Sequence, residues 1–405
     1  MNPQPEIPAL GPAEPSAAPV VKIIGVGTAG ITLLNALDQA EFAAAQLTAI
    51  NTDGGGFATC SARVKIHLET KLLRGLGSGG DPERARALAE EQFSTLKSAC
   101  AGADVVFLLA GLGGGAGSGI SPVLARAARE AGALVLAFVT LPFACECNRR
   151  EAQAQLGLEQ LKASADGVVC LPSERIFKLV DLNTEALEIF RVVDNFLLEG
   201  VRGVWHLLTR PGLIQVHFGD LCALLRDRHA TSAFAFVQAA GAGRAREVVD
   251  NLLSHPLLDE GRALADSGAV LVSLTAGANL SMAEIQRVVE QVKRQCHHAQ
   301  IIMGAAVDAA LGDKLCVTVI ATRPEAAPAG LKPSPETRPA GPAAGARDAV
   351  IAPSPRTVKG AHKPVQTQLP LTIVSKGRFD KSEPTKCNGE DLDVPTFLRR
   401  GVPLN

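Results

Sequence analysis

The stretch GLGGGAGSG at residues 111–119 places six glycines in nine positions. It follows the apolar run ADVVFLLA at 103–110 and precedes ISPVLARAARE at 120–130, which has helical spacing. Glycine lets the main chain pass close to a ligand, and the start of a helix offers free N–H groups and a positive dipole end. The stretch therefore predicts a loop between a strand and a helix whose backbone wraps phosphate groups.

The same alternation of apolar runs and amphipathic helices extends to both sides of this loop. Fully apolar strands alternating with helices are typical of a parallel sheet covered on both faces, so we expect an α/β fold. The predicted strands are 20–27, 47–53, 103–110, 133–142 and 167–172, and the predicted helices are 31–42, 83–99, 120–130 and 151–165.

The second half of the chain repeats this pattern after a long helix. Residues 184–208 form the longest uninterrupted helical pattern. We expect this helix to lie between two sheets, the second of which belongs to a smaller α/β domain. Its predicted strands are 232–241, 267–277, 299–308 and 314–322, with helices at 242–254 and 281–296.

Composition places further boundaries. The chain is rich in Pro and Ala at its start and again after Arg323, which predicts disorder at both places. The predicted organisation is a disordered N-terminus (1–19), a phosphate-binding α/β domain (20–183), a central helix (184–208), a C-terminal α/β domain (209–323), a disordered linker (324–388) and a partner-binding tail (389–405).

The overall charge and apolar content exclude several classes of protein. The formal net charge of −1 over 405 residues argues against a general nucleic-acid or membrane-surface binder. No apolar run reaches the length of a membrane span, and the N-terminus has no signal-peptide pattern, so we expect a cytoplasmic protein. The nine cysteines, Cys145 and Cys147 included, are interpreted as reduced thiols rather than metal ligands.

The number of glycine-rich turns indicates whether the chain binds a dinucleotide or a nucleoside triphosphate. Gly25 to Gly30 match G-x-G-x-x-G, and Asp53 ends the next strand, as in a dinucleotide-binding oxidoreductase. However, 111–119 and the turn RGLGSGGDP at 74–82 add two further loops. Three loops fit a nucleoside triphosphate better than a single pyrophosphate. The P-loop motif G-x-x-x-x-G-K-[ST] is absent from the sequence.

GLGGGAGSG resembles the GGGTG[ST]G signature of the tubulin/FtsZ family of GTPases. The order of motifs along the chain is also similar to that of the family, over roughly residues 20–323. The motifs are IIGVG, AINTD, RGLGSGGDP, GLGGGAGSG, TLPF, the long helix and RPGLI. The ending DLDVPTFLRR is close to the C-terminal peptide of the family. The resemblance implies a Rossmann-like parallel-sheet GTPase domain joined by the central helix to a smaller α/β domain.

The resemblance also implies a function and a set of contacts. It implies a cytoskeletal GTPase that binds GTP or GDP with Mg²⁺, polymerises head to tail and scaffolds the bacterial division septum. A carboxylate accepts both guanine donors, N1–H and N2–H, although a helix aspartate can also be merely solvated. The implied contacts are Thr28, Ala29, Gly30, Ile31, Thr32, Gly113, Gly114, Gly115, Ala116, Gly117 and Ser118 for the phosphates, Glu146 and Arg150 for ribose and phosphate, and Asp194 for guanine.

Two departures from the family pattern bear on activity. Thr28, Ala29, Ile31 and Thr32 stand in a loop that is usually nearly all glycine and ends in asparagine, and Ser173 replaces another nucleotide-contacting asparagine. These changes predict weakened nucleotide binding.

The second departure lies in the loop 215–220, where the family has N-x-D-x-x-D and completes the site of the next subunit. Asp220 keeps the second acid, but His217 replaces the first and Gln215 the asparagine. Imidazole supplies neither the charge nor the hard oxygen that a magnesium-associated site prefers. Two outcomes remain open: a slow GTPase, or a filament-forming paralogue that does not hydrolyse GTP and co-assembles with another FtsZ.

The tail resembles a segment that binds a membrane adaptor at the division site. The implied partner-binding residues are Leu392, Val394, Phe397, Leu398 and Arg399. The expected partners are therefore other copies of the chain, the adaptor and division regulators, with no nucleic acid and no direct insertion into a membrane.

Overall fold

The computed structural model describes residues 19–322, apart from 70–76, 182, 211, 226–229 and 297, together with 386–387 and 390–391. The described residues up to 322 belong to one compact unit, and the last four belong to another. The predictions of a disordered N-terminus, a linker and a binding tail fall almost entirely outside the described residues. In the second unit, Lys386–Cys387 pairs antiparallel with Glu390–Asp391.

Six parallel strands form the first half of a large sheet. They are β1 (Val21–Val26), β2 (Gln46–Asn51), β3 (Val64–His67), β4 (Val105–Gly111), β5 (Leu134–Leu141) and β6 (Gly167–Pro172). Their spatial order is β3-β2-β1-β4-β5-β6. Every residue of β1 is buried, and β4 is buried up to its last residue. Continuous burial follows from helices on both faces, so the predicted parallel sheet is confirmed.

Five helices cover this half: α1 (Gly27–Ala36), α2 (Pro82–Glu91), α3 (Phe93–Cys100), α4 (Gly115–Glu130) and α5 (Asn148–Ser164). The single helix predicted over 83–99 is divided at Gln92, whose φ of −105° and ψ of 26° are not helical. The helix predicted over 31–42 instead begins at Gly27 and ends at Ala36. A turn follows and places Phe42 in the core, with its ring centroid 5.1 Å from that of Trp205.

The long helix, α6 (Ala186–Thr209), lies close to its predicted bounds. Residues Val193, Leu197, Val201 and Val204 recur at helical spacing and are buried in one core with residues of α1 and the sheet. The opposite face of the sheet is covered by α2 to α5. The position of α6 on the first sheet face brings its N-terminal half to the end of the strands.

The second half of the chain extends the same sheet. Its elements are β7 (Gly212–Ile214), α7 (Phe218–Leu225), β8 (Ala230–Ala240), α8 (Arg244–Leu253), α9 (Arg262–Ala265), β9 (Ala269–Ala276), α10 (Met282–Gln295), β10 (Gln300–Val307) and β11 (Lys314–Thr322). The order continues β6-β8-β11-β9-β10-β7. We expected two sheets, but the long strand β8 pairs in parallel with β6 and joins both halves into one sheet, which has eleven strands among the described residues.

An ion-pair network fixes the turn after α1 against α6 and the end of β10. Glu41 accepts from Arg202 Nε at 2.8 Å and lies 2.5 Å from His206 Nε2, and Arg210 pairs with Asp308 at 2.5 Å. Burial raises the pKa of Glu41, but hydrogen bonds from His206 and Arg202 outweigh it and lower the pKa to about 2. Among the helices that the structure describes, none combines the length and apolar character needed to span a bilayer.

Candidate functional site

A cleft of about 630 Å³ opens at the carboxyl ends of β1, β2 and β4. Ligands of open α/β sheets bind at this edge, because loops and helix N-termini converge there. The cleft is lined by the first turns of α1 and α4, the turn 77–80, the segment after β5, and the N-terminal half of α6. The three glycine-rich turns predicted from the sequence therefore meet in one place.

Two helix N-termini face this cleft. Strands β1 and β4 are paired with Val26 opposite Ala110, so α1 and the loop leading to α4 start side by side. Thr28, Ala29 and Thr32 of α1 line the cleft together with Gly114 to Gly117 at the start of α4. The first N–H groups of a helix have no partner within it, and two positive dipole ends reinforce each other. This arrangement suits a polyphosphate.

The glycines of the second loop serve the close approach of backbone to backbone. A Cβ at Gly117 would lie 2.0 Å from the carbonyl oxygen of Gly111, so only glycine fits at this position in the first turn of α4. Gly113 has a φ of +99°, and its N–H donates to the Ser118 hydroxyl at 2.8 Å. Gly113 and Ser118 thus shape the loop but do not line the cleft.

In the first turn of α1, as in the second loop, some of the residues implied as phosphate contacts pack within the protein and others line the cleft. Gly30 packs on β4, where a Cβ would lie 2.5 Å from the Leu109 carbonyl oxygen, and Ile31 is only 3% exposed in the core. Neither residue lines the cleft. Thr28, Ala29 and Thr32 are exposed on it, and the Thr32 hydroxyl donates to the Thr28 carbonyl at 3.1 Å. Their side chains narrow the approach to the α1 backbone.

Glu146 and Arg150 lie on the rim of the cleft, beside the start of α5. Glu146 accepts from the Phe143 N–H at 3.0 Å, and its other oxygen accepts from Arg150. The rim also contains Ser173, which is 3% exposed and whose hydroxyl donates to the Leu141 carbonyl at 2.5 Å. The Ser173 donor is therefore already used within the protein.

Asp194 forms part of the wall that α6 contributes. Burial raises the pKa of its carboxyl to about 6. No ion pair or hydrogen bond of this carboxylate occurs among the described residues. A partly buried acid without a donor is suited to a ligand that presents two N–H groups, and the edge of guanine does so.

Sequence reasoning missed Phe190, one turn before Asp194 on the same helix face. Its side chain is 51% exposed in the cleft wall and lies edge-on to Phe143, with ring centroids 5.4 Å apart. An exposed aromatic ring beside a base-binding acid offers a stacking surface for a purine. The sequence signal that could have identified Phe190 is its position four residues before Asp194, which places both side chains on one face of the helix.

The turn after β2 contributes a carboxylate, Asp53, of the type that binds Mg²⁺. Asp53 lines the cleft, and its Oδ1 accepts from the Gly55 N–H at 3.0 Å. Mg²⁺ in nucleotide sites usually takes one or two carboxylates, phosphate oxygens and water, which this turn fits. No cluster of three or more His, Cys, Asp or Glu side chains able to hold a metal by itself occurs in the described part of the chain.

His217 and Asp220 lie elsewhere: His217 ends the loop between β7 and α7, and Asp220 lies in the first turn of α7. Both are exposed, and the Asp220 N–H donates to the His217 carbonyl at 2.9 Å. Neither lines the cleft. Within one copy of the chain, the residues implied for hydrolysis and those implied for nucleotide binding are therefore not brought together.

Comparisons with known proteins agree with this fold. A model of the GTPase domain of the tubulin/FtsZ family matches residues 20–181, and a model of the C-terminal domain of the FtsZ family matches residues 231–324. An empty FtsZ dimer from M. jannaschii is 34% identical, with a TM-score of 0.70, over 75% of this chain and 88% of that chain.

Two further solved structures are similar. A point mutant of FtsZ from M. jannaschii is 33% identical, with a TM-score of 0.70, over 75% of this chain and 91% of that chain. CetZ2 from Haloferax volcanii, in a GTPγS-bound protofilament, is 23% identical with a TM-score of 0.62, over 76% of this chain and 93% of that chain, and shares the fold. On the two domain matches and the likeness to FtsZ, the chain belongs to the tubulin/FtsZ family of GTPases.

Proposed function

We propose that this chain binds GTP and GDP in the cleft, polymerises head to tail and scaffolds the bacterial division septum as a cytoskeletal GTPase. The observation that carries the proposal is the meeting of two glycine-lined helix N-termini with an unpaired carboxylate, Asp194, around one cleft. The helix ends suit the phosphates, and the carboxylate suits guanine. Family membership leaves the oxidoreductase alternative without support.

Assembly follows from the separation of the cleft and the loop with Asp220. If a second copy places this loop over the cleft, the contact is heterologous, since different surfaces of the two copies meet. Such a contact propagates into a filament. Two solved relatives are described as a dimer and as a protofilament.

Hydrolysis in the proposed filament is slow. Asp220 of one copy positions water at the nucleotide of the next, and His217 stands where a second acid is expected. Loss of one positioning or general-base group typically costs about 10²–10⁴ in rate. Where Mg²⁺ accompanies the nucleotide, Asp53 would help to hold it beside the phosphates, and the ion would neutralise part of their charge.

The alternative is a scaffold that does not hydrolyse GTP and joins filaments of another FtsZ. The exposed side chains of Thr28, Ala29 and Thr32 favour it, because they occupy space at the helix end that would approach the phosphates. The unpaired Asp194 argues against complete loss of nucleotide binding.

The tail and the cellular location belong to the same proposal. Leu392, Val394, Phe397, Leu398 and Arg399 lie outside the described residues, so their support comes from the sequence alone. We expect them to bind a membrane adaptor in the cytoplasm, at the site of cell division. Deletion of 389–405 is expected to abolish adaptor binding and to leave polymerisation intact; loss of both would contradict this division of roles.

The test is GTP-dependent pelleting with phosphate release measured in the same tubes across protein concentration. Turnover that starts only above a critical concentration supports a site completed between copies. Pelleting without phosphate release supports a non-hydrolysing filament. Pelleting only after another FtsZ is added supports the co-assembling scaffold, whereas no GTP binding under any of these conditions overturns the proposal.

A further inference from the structure

Two exposed cysteines, Cys145 and Cys147, flank Glu146 on the rim of the cleft. Both thiols are free and exposed. Of the other cysteines, the six whose burial the structure describes are buried or half-buried: Cys60, Cys100, Cys170, Cys222, Cys296 and Cys316. A soluble oxidant therefore reaches this pair before these six, since oxidation follows thiol accessibility.

The backbone brings the two cysteines within bridging distance. Cys145 and Glu146 lie in a short 3₁₀ turn (Ala144–Glu146), and Cys147 precedes α5. Two residues apart across a tight turn, their Cα atoms are separated by about 5–6 Å, which lies within the range that disulfides span. The geometry of the turn thus permits closure with a local change of backbone angles.

Cys147 holds an unusual backbone conformation. Its φ is 82° and its ψ is 148°, a region that is almost restricted to glycine. The backbone of a residue with a side chain is strained in this region. A rearrangement at Cys147 therefore relieves strain that is absent at a residue with ordinary backbone angles. The turn is therefore prone to change shape at this position.

The pair is coupled to the cleft through the residue between the two cysteines. Glu146 lines the cleft and holds both the Phe143 N–H and the guanidinium of Arg150. Phe143 in turn packs edge-on against Phe190. A change of backbone angles on both sides of Glu146 displaces its carboxylate from these two donors.

We propose that Cys145 and Cys147 form a redox modification site that closes reversibly into a disulfide and lowers the affinity of the cleft for nucleotide. The effect on affinity rests on the proposed function, whereas formation of the bond does not. A disulfide at an exposed site in a reducing compartment is transient, as expected of a sensor rather than a structural bond.

The oxidant is a peroxide, and the chemistry balances in two steps. One thiolate attacks a peroxide oxygen; the O–O bond breaks, hydroxide leaves and takes up a proton, and a sulfenic acid remains. The second thiolate attacks that sulfur, the S–S bond forms, and hydroxide leaves again as water. Two thiols and one hydrogen peroxide yield one disulfide and two waters, and a dithiol reductant reverses the change.

The first experiment detects the bond itself. Reduced full-length protein is treated with hydrogen peroxide, alkylated without reduction and digested for mass spectrometry. The peptide with both cysteines is expected to lose the mass of two hydrogen atoms and to escape alkylation, while the Cys222 and Cys316 peptides are alkylated. Cys147→Gly, which suits the positive φ, and Cys147→Ser serve as controls that cannot close. Alkylation of both thiols after peroxide treatment overturns the inference.

The second experiment measures the consequence with a fluorescent GTP analogue. Oxidation is expected to weaken its binding about tenfold, the value of one lost charge-assisted contact, and dithiothreitol is expected to restore it. Binding by Cys147→Ser should not respond to peroxide. A disulfide that forms without changing affinity overturns the coupling. If neither the reduced nor the oxidised protein binds the analogue, the proposed function fails instead.

Discussion

At the scale of single residues, Asp194 shows how burial prepares a group for a ligand. Its pKa is raised to about 6 because burial partly withdraws it from water, and no cation among the described residues compensates for this. A free aspartate has a pKa near 4, so ionised Asp194 costs stability at neutral pH in the empty protein. A ligand that donates two N–H groups offsets this cost on binding.

The affinity for GTP is therefore expected to depend on pH. Asp194 accepts both donors only when ionised, so affinity rises as pH increases through about 6 and is about tenfold weaker at pH 5 than at pH 7. Titration with a fluorescent GTP analogue between pH 5 and pH 8 measures this.

Asp194→Asn is the matched control for this titration. It is expected to bind GTP weakly and without the pH dependence. Because the folded pKa lies above the unfolded one, the variant is also expected to be about 1–2 kcal/mol more stable without nucleotide at pH 7, after allowance for partial exposure. An unchanged pH profile in the variant would assign the dependence to another group.

Which individual residues line the cleft was only partly predictable from sequence. The phosphate-loop pattern marks Gly30, Ile31, Gly113 and Ser118 together with their neighbours, but the structure uses these four for packing and loop shape. A glycine in such a motif can be required either because the backbone packs closely there or because a ligand approaches, and the sequence pattern is the same in both cases. Which residues of the helix are buried distinguishes packing from ligand contact. That burial depends on the strands beneath the helix, which the local motif does not reveal.

At the scale of elements, the glycine-rich run is a helix start as well as a loop. Helix α4 begins at Gly115, five residues earlier than the predicted helix at 120–130. Glycine is a poor helix former, so propensity places the boundary later. Packing outweighs propensity here, since Gly117 and Gly119 lie where a Cβ would be 2.0 Å from the Gly111 and 2.2 Å from the Pro82 carbonyl oxygens.

Two glycine substitutions in this element are expected to separate packing from binding. Gly117→Ala places a methyl group against the Gly111 carbonyl and is expected to destabilise the protein by about 2–4 kcal/mol. Gly114→Ala meets nothing within 4 Å, has a φ of −97°, and projects toward the cleft. It is expected to retain stability and to bind GTP more weakly.

Thermal unfolding and GTP titration of the two variants measure these expectations. Equal losses of stability would show that Gly114 tolerates a methyl group no better than Gly117 does. Undiminished GTP binding by Gly114→Ala would remove this helix end from the phosphate site.

At the scale of the whole molecule, β8 joins the two halves of the chain into one sheet. Sequence patterns identified nine strands of the sheet closely and missed the short edge strands β3 and β7. They also could not predict the pairing between β6 and β8, which involves residues about sixty positions apart. Periodicity reports which face of a strand is buried and not which strand lies beside it. His217 and Asp220 thereby belong to the same compact unit as the cleft, yet they do not line it.

His217→Asp is expected to raise GTP hydrolysis at least tenfold without changing the affinity of the single chain for GTP. The substitution restores a carboxylate three residues before Asp220, so both acids lie on one face of the start of α7. Gly219→Asp adds the same charge at an exposed position where a Cβ meets nothing within 4 Å. It is the matched control, because adjacent residues of a helix do not share a face. Phosphate release above the critical concentration measures both; equal acceleration by the two variants would indicate a general charge effect.

Mixing two inactive variants tests whether the acids act on a neighbouring copy. Asp194→Asn impairs the cleft and leaves the loop intact, whereas Asp220→Ala impairs the loop and leaves the cleft intact. In a head-to-tail filament of equal parts, about a quarter of the contacts join an intact loop to an intact cleft, and hydrolysis is expected to recover in that proportion. Co-pelleting of the variants without recovered hydrolysis would show that a loop acts only on its own chain, which the separation of Asp220 from the cleft argues against.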